Sequence, residues 1–124
     1  MGIENVLPGV VAGKEDDLVS IGVRGNVIQA ISGCAIGDRV YALVEPQDIT
    51  FNLHKEASSA RNAFEGRISR MTPVGPLMRI EVDCGFPLLG VLTRRSAEEL
   101  DLAIGKQVYA SFKATAIHVI QRRG

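Results

Sequence analysis

The chain is built from two imperfect copies of one sequence, and this repeat limits the possible folds more than any other feature. Three pairs of segments carry it: Asn5–Val11 with Asn62–Ile68, the segment at Leu18 with that at Leu77, and Ala35–Ala42 with Ala103–Ala110. The offset between the copies is 57, then 59, then 68 residues, so the second copy contains about nine additional residues around 94–100. We expect two similar folding units, one for each copy.

Each copy has the pattern of short β-strands. Leu18–Val23 and Leu77–Val82 alternate core and exposed positions with a period near two, and so do Arg39–Val44 and Gln107–Phe112. The 13 glycines and 5 prolines separate such segments with turns. About five short strands in about 60 residues are typical of a small Greek-key barrel of the OB type. The sequence therefore predicts an all-β fold of two tandem five-stranded OB-type barrels.

The additional residues of the second copy predict a short helix that the first copy lacks. Ser96 followed by Glu99 fits a capping box, which marks the beginning of a helix. We expect a first lobe over residues 3–51, a joint over residues 52–58 and a second lobe over residues 59–121.

The composition excludes several classes of protein. A content of 46% hydrophobic and 23% charged residues is enough for a buried core, so a disordered tail is excluded. Zero net charge, 5% aromatic residues and the absence of Trp argue against nucleic-acid binding. No apolar run approaches the ~20 residues of a membrane span, and no signal peptide is recognisable, so we expect a cytoplasmic protein without membrane insertion. Cys34 and Cys84 lack metal-ligand spacing and are interpreted as free thiols.

No catalytic motif is found. His54 and His118 have no nucleophile or acid–base motif around them. Gly105–Lys106 is similar to the end of a phosphate-binding loop, but Leu100 stands where the first glycine is required and Gln107 replaces Ser or Thr. We interpret that segment as a turn into a strand, and we predict a binding protein with no cofactor and no metal rather than an enzyme.

The second copy carries hydrogen-bond donors that the first copy lacks. Ser59 and Arg61 stand where the first copy has Gly2 and Glu4. The second copy ends in Lys113-Ala-Thr115, where the first has Glu45-Pro-Gln47. The charges follow the same division: residues 1–57 contain 4 basic and 8 acidic side chains, and residues 58–124 contain 10 basic and 6 acidic ones. The zero net charge is therefore a cancellation between the two lobes.

This donor set predicts a site for a small tetrahedral oxyanion in the second lobe. A fully deprotonated dianion accepts hydrogen bonds and donates none, so its site gathers Arg, Lys, hydroxyl and backbone N–H groups and keeps carboxylates away. The start of the helix predicted at Ser96 could add backbone N–H groups and the favourable end of a helix dipole. In a closed barrel the first and last strands can be neighbours, which would bring the two ends of the second copy together.

The second copy resembles the Mop domain, the molybdate-type TOBE domain. The resemblance is carried by four motifs: Ser-Ala-Arg-Asn at 59–62, Thr-x-x-Ser-x-Glu-Glu-Leu at 93–100, the Leu-x-x-Gly-Lys turn at 102–106, and Lys-Ala-Thr at 113–115. It covers about half of the chain and implies molybdate or tungstate as the ligand. The residues it implies at the site are Ser59, Arg61, Lys113 and Thr115, then Asn62 as a ligand or turn residue, with Thr93 and Ser96 as further contributors.

The first copy resembles the degenerate lobe that precedes such a domain in ATP-binding subunits of ABC transporters. Tyr41–Ile49 is similar to the Arg-Pro-Glu-Asp-Ile segment of those domains, with Glu45 in place of Arg. The resemblance implies a cytoplasmic regulatory domain, excised from the C-terminus of a molybdate or tungstate importer subunit, that controls uptake by feedback. It also implies a homodimer with the anion between lobes of different chains, and the parent ATPase domain and membrane permease as partners. In that parent transporter the domain would be peripheral at the inner face of the membrane.

Three alternatives remain at the level of sequence. A free-standing molybdate-storage protein would be expected to repeat Ser-Ala-Arg-Asn in each lobe, whereas this chain has it once. The regulatory domain of a sugar or sulfate importer would explain Tyr41–Ile49 but not the donors of the second copy. An oligonucleotide-binding OB module would need the aromatic platforms and basic groove that this chain lacks.

Overall fold

The computed structural model describes residues 5–55 and 62–122. Within these residues the chain is nearly all β, which confirms the predicted fold class. The described strands are β1 (Asn5–Glu15), β2 (Leu18–Val23), β3 (Asn26–Ile31), β4 (Arg39–Val44), β5 (Thr50–Asn52), β6 (Asn62–Val74), β7 (Leu77–Asp83), β8 (Pro87–Thr93), β9 (Gln107–Phe112) and β10 (His118–Gln121). A helix, α1 (Arg94–Glu99), follows β8, and two 3₁₀ turns, Pro46–Asp48 and Ala114–Ala116, follow β4 and β9.

The two sheets exchange their last strands. The strand orders are β10-β4-β1-β2-β3 and β5-β9-β6-β7-β8, and neighbouring strands are antiparallel. β10, from the second copy, lies beside β4 of the first, with His118 opposite Leu43. β5, from the first copy, lies beside β9 of the second, with Phe51 opposite Ala110. Each sheet is thus completed by a strand of the other copy, an arrangement that the repeat pattern alone does not predict.

β1 and β6 bend at equivalent positions, and each bend depends on a glycine. The register shifts after Val11 in β1 and after Ile68 in β6, as a β-bulge does. A Cβ on Gly9 would lie 2.6 Å from the carbonyl oxygen of Gly22, and a Cβ on Gly66 would lie 2.6 Å from that of Asp83. Glycine at these two positions therefore permits the close approach of strands that curls each sheet towards a barrel.

One hydrophobic core is shared by both sheets, and the exchanged strands contribute to it. Phe51 of β5 is buried, and its ring covers Gly90 of β8 so closely that a Cβ at Gly90 would overlap it. The corresponding positions of the first sheet are Val119, by the offset of 68, and Ala30, because the two asparagine contacts match the preceding residues Gln29 and Leu89. A large side chain against glycine in one sheet thus corresponds to a smaller side chain and alanine in the other.

α1 confirms the predicted helix, although it begins earlier than predicted. Thr93 is the N-cap: its Oγ1 accepts a hydrogen bond from the Ser96 backbone N–H at 3.0 Å and donates one to Ser96 Oγ at 2.9 Å. The capping-box assignment to Ser96 is therefore wrong, because Thr93 at the end of β8 already supplies the cap. At the other end, Lys106 Nζ donates to the carbonyls of Leu100 and Asp101 at 3.1 and 2.9 Å. None of the described helices has the length and apolar character needed to cross a membrane.

The outer faces of the two sheets differ in polarity. An apolar outer face on the first sheet is formed by exposed side chains of β1, β4 and β10: Val6, Pro8, Val10, Tyr41 and Ile120. Pro8 and Ile120 lie opposite Tyr41 from the two neighbouring strands, so these side chains are contiguous. The corresponding positions of the second sheet are Ala63, Glu65, Arg67, Tyr109 and Asn52. The apolar outer face is therefore a property of the first sheet and not of the repeat.

Candidate oxyanion-binding site

Asn62 holds the start of β6 against the first copy. Its side-chain Nδ2 donates to the Gln29 carbonyl oxygen at 2.9 Å, and its Oδ1 accepts from the Gln29 N–H at 2.8 Å. Asn62 is 2% exposed, so its amide group is shielded from water. Gln29 lies in β3, an edge strand of the first sheet. The beginning of the second copy is thus fixed to β3 of the first copy by a side chain that the sequence had placed among the candidate ligands.

Lys113 lies beside this contact. Asn62 is opposite Phe112 in the β6–β9 register, and Lys113 follows Phe112 directly. Lys113 is the N-cap residue of the 3₁₀ turn Ala114–Ala116, and this turn packs against β3. Lys113 and Thr115 are both exposed, and within residues 5–55 and 62–122 the Lys113 ammonium group has no hydrogen-bond or ion-pair partner. The two copies meet at two contacts, Asn62 with Gln29 and Asn5 with Leu89, and each contact with its neighbouring 3₁₀ turn is called a seam. A cation with no partner among the described residues and a hydroxyl therefore lie next to the seam at Asn62.

The first copy has the same backbone arrangement with the opposite charge. Asn5 Nδ2 donates to the Leu89 carbonyl and its Oδ1 accepts from the Leu89 N–H, both at 2.8 Å, so β1 is fixed to β8 as β6 is fixed to β3. Where the second copy has Lys113, the first has Glu45 before the turn Pro46–Asp48. The Glu45 carboxylate accepts a hydrogen bond from Gln47 Nε2 at 2.6 Å. A carboxylate at this position repels an oxyanion, so the seam at Lys113 is the one suited to it.

Two predicted ligands, Ser59 and Arg61, lie outside the described residues, and their assignment stays a prediction. What the structure describes is the position to which they lead. They directly precede Asn62, the first residue of β6, and Asn62 is paired beside Lys113.

Thr93 and Ser96 are not brought together with Lys113. Both belong to the N-terminus of α1, where Arg94 N–H donates to the Pro76 carbonyl at 2.9 Å, at the turn between β6 and β7. β6 has 13 residues, which is roughly 40 Å of strand path at about 3.3 Å per residue. Asn62 begins that strand and α1 lies at its far end, so the predicted site residues that the structure describes form two separate groups within one chain.

The arginines at the start of α1 have partners within the chain. Arg95 forms an ion pair with Glu99 at 3.2 Å, one helical turn away, and Arg94 Nη1 donates to the Gly75 carbonyl at 3.4 Å. Both side chains are exposed. These contacts account for the two arginines without a ligand.

Sequence reasoning missed the contribution of β3. Gln29 contacts Asn62 through its backbone, so its side-chain identity carries no signal for this role. A usable signal was the asparagine that begins each copy, Asn5 and Asn62, since two asparagines at matched positions can make the same pair of contacts. The sequence could not show that each amide reaches the sheet of the other copy.

The remaining reactive groups lie apart from this seam. Cys34 and Cys84 are free thiols, as predicted. Cys84 is buried at the β7–β8 turn, where its Sγ donates to the Phe86 carbonyl at 3.3 Å, and burial raises the pKa of its thiol from 9.0 to about 11. Across the described residues, no group of three or more His, Cys, Asp or Glu side chains is arranged to hold a metal ion.

Two five-stranded sheets that exchange strands and share one core, with an exposed lysine where the copies meet, define a small β domain of OB type. Residues 58–119 match the model of the TOBE domain, half of the chain, and the chain therefore belongs to the TOBE domain family.

Curated relatives and a solved structure agree with this assignment. The molybdate/tungstate import ATP-binding protein WtpC of Pyrococcus horikoshii is 34% identical over 121 residues, which is 96% of this chain and 33% of that protein. The chain thus spans about a third of the length of that relative. A probable molybdenum-pterin-binding protein of Haemophilus influenzae is 32% identical over 63 residues, 49% of this chain and 91% of that protein. The structure of the cytoplasmic molybdate-binding protein ModG, with molybdate bound, covers 96% of both chains with a TM-score of 0.86 at 21% identity, which shows the shared fold.

Proposed function

We propose that this chain is an oxyanion-sensing regulatory domain that binds molybdate or tungstate and controls an importer of that anion. The observation that carries the proposal is the exposed Lys113, which has no partner among residues 5–55 and 62–122, beside the contact of Asn62 and at the position where the first copy has Glu45. The similarity to WtpC of Pyrococcus horikoshii, which is named for molybdate and tungstate import, supports the choice of anion.

The proposed ligands are all hydrogen-bond donors. Lys113 supplies an ammonium group and Thr115 a hydroxyl, and Ser59 and Arg61 are expected to complete the set from the segment that leads to Asn62. The amide of Asn62 is already bonded to Gln29, so we assign it to the support of the site. Thr93 and Ser96 lie at the far end of β6, so they would contribute only if a second copy of the chain brought its helix to this seam.

A homodimer is part of the proposal, and the apolar outer face of the first sheet supports it. Tyr41 is 39% exposed and Ile120 52% exposed, beside the exposed Val6, Pro8 and Val10. The second sheet has Glu65 and Arg67 at the positions of Pro8 and Val10, so an apolar surface is not required by the fold. Contiguous exposed apolar side chains often mark a surface at which proteins associate.

Regulation follows from differential binding. An oxyanion that binds one arrangement of the paired domains more tightly than another shifts the population towards that arrangement. A 100-fold preference corresponds to about 2.7 kcal/mol. In a parent transporter, the ATPase domain and the membrane permease would receive that shift at the inner face of the membrane, which gives feedback on uptake.

A storage protein is the less favoured candidate. Storage would be served by equivalent sites at both seams, but Glu45 places a carboxylate at the seam of the first copy.

Thermal unfolding with added anions tests the proposal. An anion that binds the folded state stabilises it by about 2.7 kcal/mol at 100 times the Kd, and this stabilisation raises the melting temperature. We expect molybdate and tungstate to raise the melting temperature, and sulfate and phosphate at equal concentration to have little effect. If neither molybdate nor tungstate changed it, the regulatory domain of a sugar or sulfate importer would become the better proposal.

A further inference from the structure

We propose that Asn62 is a positioning residue that presents Lys113 to the oxyanion by fixing β6 to β3 of the other copy. This inference rests on the proposed function and adds a role for the seam between the two copies. It makes β3, a strand of the copy that lacks the donor motifs, a structural part of the anion site.

Asn62 joins β9 to β3, and the turn that follows β9 packs on β3 as well. The Asn62 backbone is paired in register with Phe112, the last residue of β9. Its side chain is bonded twice to the backbone of Gln29 in β3, at 2.8 and 2.9 Å. The 3₁₀ turn that follows Lys113 also packs against β3. Loss of the amide would therefore loosen the end of β9 and the turn from β3, and with them the backbone that carries Lys113 and Thr115.

The amide contact of Asn62 affects anion binding through the position of Lys113 and not through direct contact with the anion. A lysine side chain is long and flexible, so the location of its ammonium group depends on the backbone that carries it. Binding that must first order such a group has a lower affinity than binding to a group already in place. A fixed backbone at residues 112–115 therefore raises anion affinity although Asn62 itself does not touch the anion.

Asn5 is a matched control that the chain itself provides. It makes the same two contacts, to Leu89 in β8, at 2.8 Å each, and it is 4% exposed compared with 2% for Asn62. The neighbouring turn carries Glu45 in place of lysine. Both asparagines contribute to folding in the same manner, and the anion site is expected beside one of them.

The test compares Asn62→Ala with Asn5→Ala in the full chain, by thermal unfolding and by calorimetric titration with sodium molybdate well below both melting temperatures. We expect both variants to lower the melting temperature by similar amounts, because each loses two buried hydrogen bonds. We expect Asn62→Ala alone to weaken molybdate binding, by at least tenfold. If Asn62→Ala does not fold, the pair Asn62→Ser and Asn5→Ser, in which a hydroxyl can keep one contact, replaces it.

Two results would overturn this inference while leaving the proposed function standing. One is unchanged molybdate affinity in Asn62→Ala despite a lowered melting temperature. The other is an equal loss of affinity in Asn5→Ala, which would show a general effect of destabilisation. Absence of molybdate binding by the unmodified chain is distinguishable from both, and it would overturn the proposed function and this inference together.

Discussion

Glu45 and Lys113 occupy the same backbone position in the two copies of the repeat. Each is the N-cap residue of a 3₁₀ turn, with φ of −79° in both and ψ of 144° for Glu45 and 147° for Lys113. Each turn packs against an edge strand contributed by the other copy, β8 for the first turn and β3 for the second. The fold thus has two nearly identical seams, and under the proposed function the side-chain charge decides which of them attracts an anion.

Neutralising Lys113 should weaken anion binding without unfolding the domain. Because the ammonium group is exposed and has no partner within the described residues, Lys113→Gln should leave the melting temperature nearly unchanged. A hydrogen bond to a charged group contributes about 1.5–3 kcal/mol, so we expect molybdate affinity to fall roughly 10- to 100-fold. Calorimetric titration of the variant measures this change.

Lys106→Gln is the matched control for that prediction. Lys106 bonds the last carbonyls of α1 and lies away from the seam, so its neutralisation should lower stability slightly and leave anion affinity unchanged. Equal losses of affinity in the two lysine variants would indicate a general effect of positive charge and would contradict the assignment of Lys113.

The exchange of β5 predicts a specific steric coupling. Gly90→Ala should destabilise the domain by about 1–3 kcal/mol, since its Cβ would overlap the ring of Phe51 from the other copy. The double variant Gly90→Ala with Phe51→Val reproduces the Ala30 and Val119 pair of the first sheet. In the presence of Phe51→Val, Gly90→Ala should therefore lower the free energy of unfolding much less. Urea denaturation of the four proteins in the cycle measures the coupling, and strictly additive effects would argue against this packing.

The sequence predicted the local structure well and the long-range pairing poorly. Alternation of apolar residues was sufficient for segments such as Leu18–Val23, and the repeat offsets located α1 as an insertion. The exchange of β5 and β10 was not predictable, because β5 has three residues and nothing in them selects between the two sheets. The N-cap of α1 was assigned to Ser96 instead of Thr93. Both residue types can cap a helix, and only the place where β8 ends decides between them.

The candidate site was predictable in its residue types and less so in its arrangement. Charge contrast between the copies is what made Lys113 a candidate, because Glu45 at the matched position cannot donate to an oxyanion. The separation of Thr93 from Lys113 depends on the path of β6, and the role of Asn62 depends on a contact with backbone of the other copy. Neither can be inferred from spacing along one chain.

Burial of Cys84 predicts a loss of stability at alkaline pH. Its thiol has a pKa of about 11 in the folded state, raised from 9.0 by burial, so the unfolded chain releases the proton first as the pH rises. This contribution to stability is complete below pH 9 and is lost between about pH 9 and 11, on the order of 2 kcal/mol in total. The free energy of unfolding measured across this range should fall more steeply for the natural chain than for Cys84→Ala. Parallel curves for the two proteins would show that Cys84 titrates normally.

Removing the cap of α1 should separate its structural role from ligand binding. Thr93→Ala loses the hydrogen bond to the Ser96 N–H, which should destabilise the domain by about 1 kcal/mol. Because α1 lies at the far end of β6 from Asn62, molybdate affinity should change less than tenfold at protein concentrations too low for self-association. A larger loss under those conditions, with the fold intact by circular dichroism, would place Thr93 at the anion within a single chain.

The central claim is that, of the two equivalent seams between the copies, only the one at Lys113 binds a tetrahedral oxyanion. Calorimetric titration of the unmodified chain with molybdate, and separately with tungstate, tests it most directly through the number of anions bound. The structure predicts tight binding of no more than one anion per chain, little heat with sulfate or phosphate, and loss of binding in Lys113→Glu, which makes the second seam resemble the first. Two anions per chain, or no binding of either anion, would contradict it.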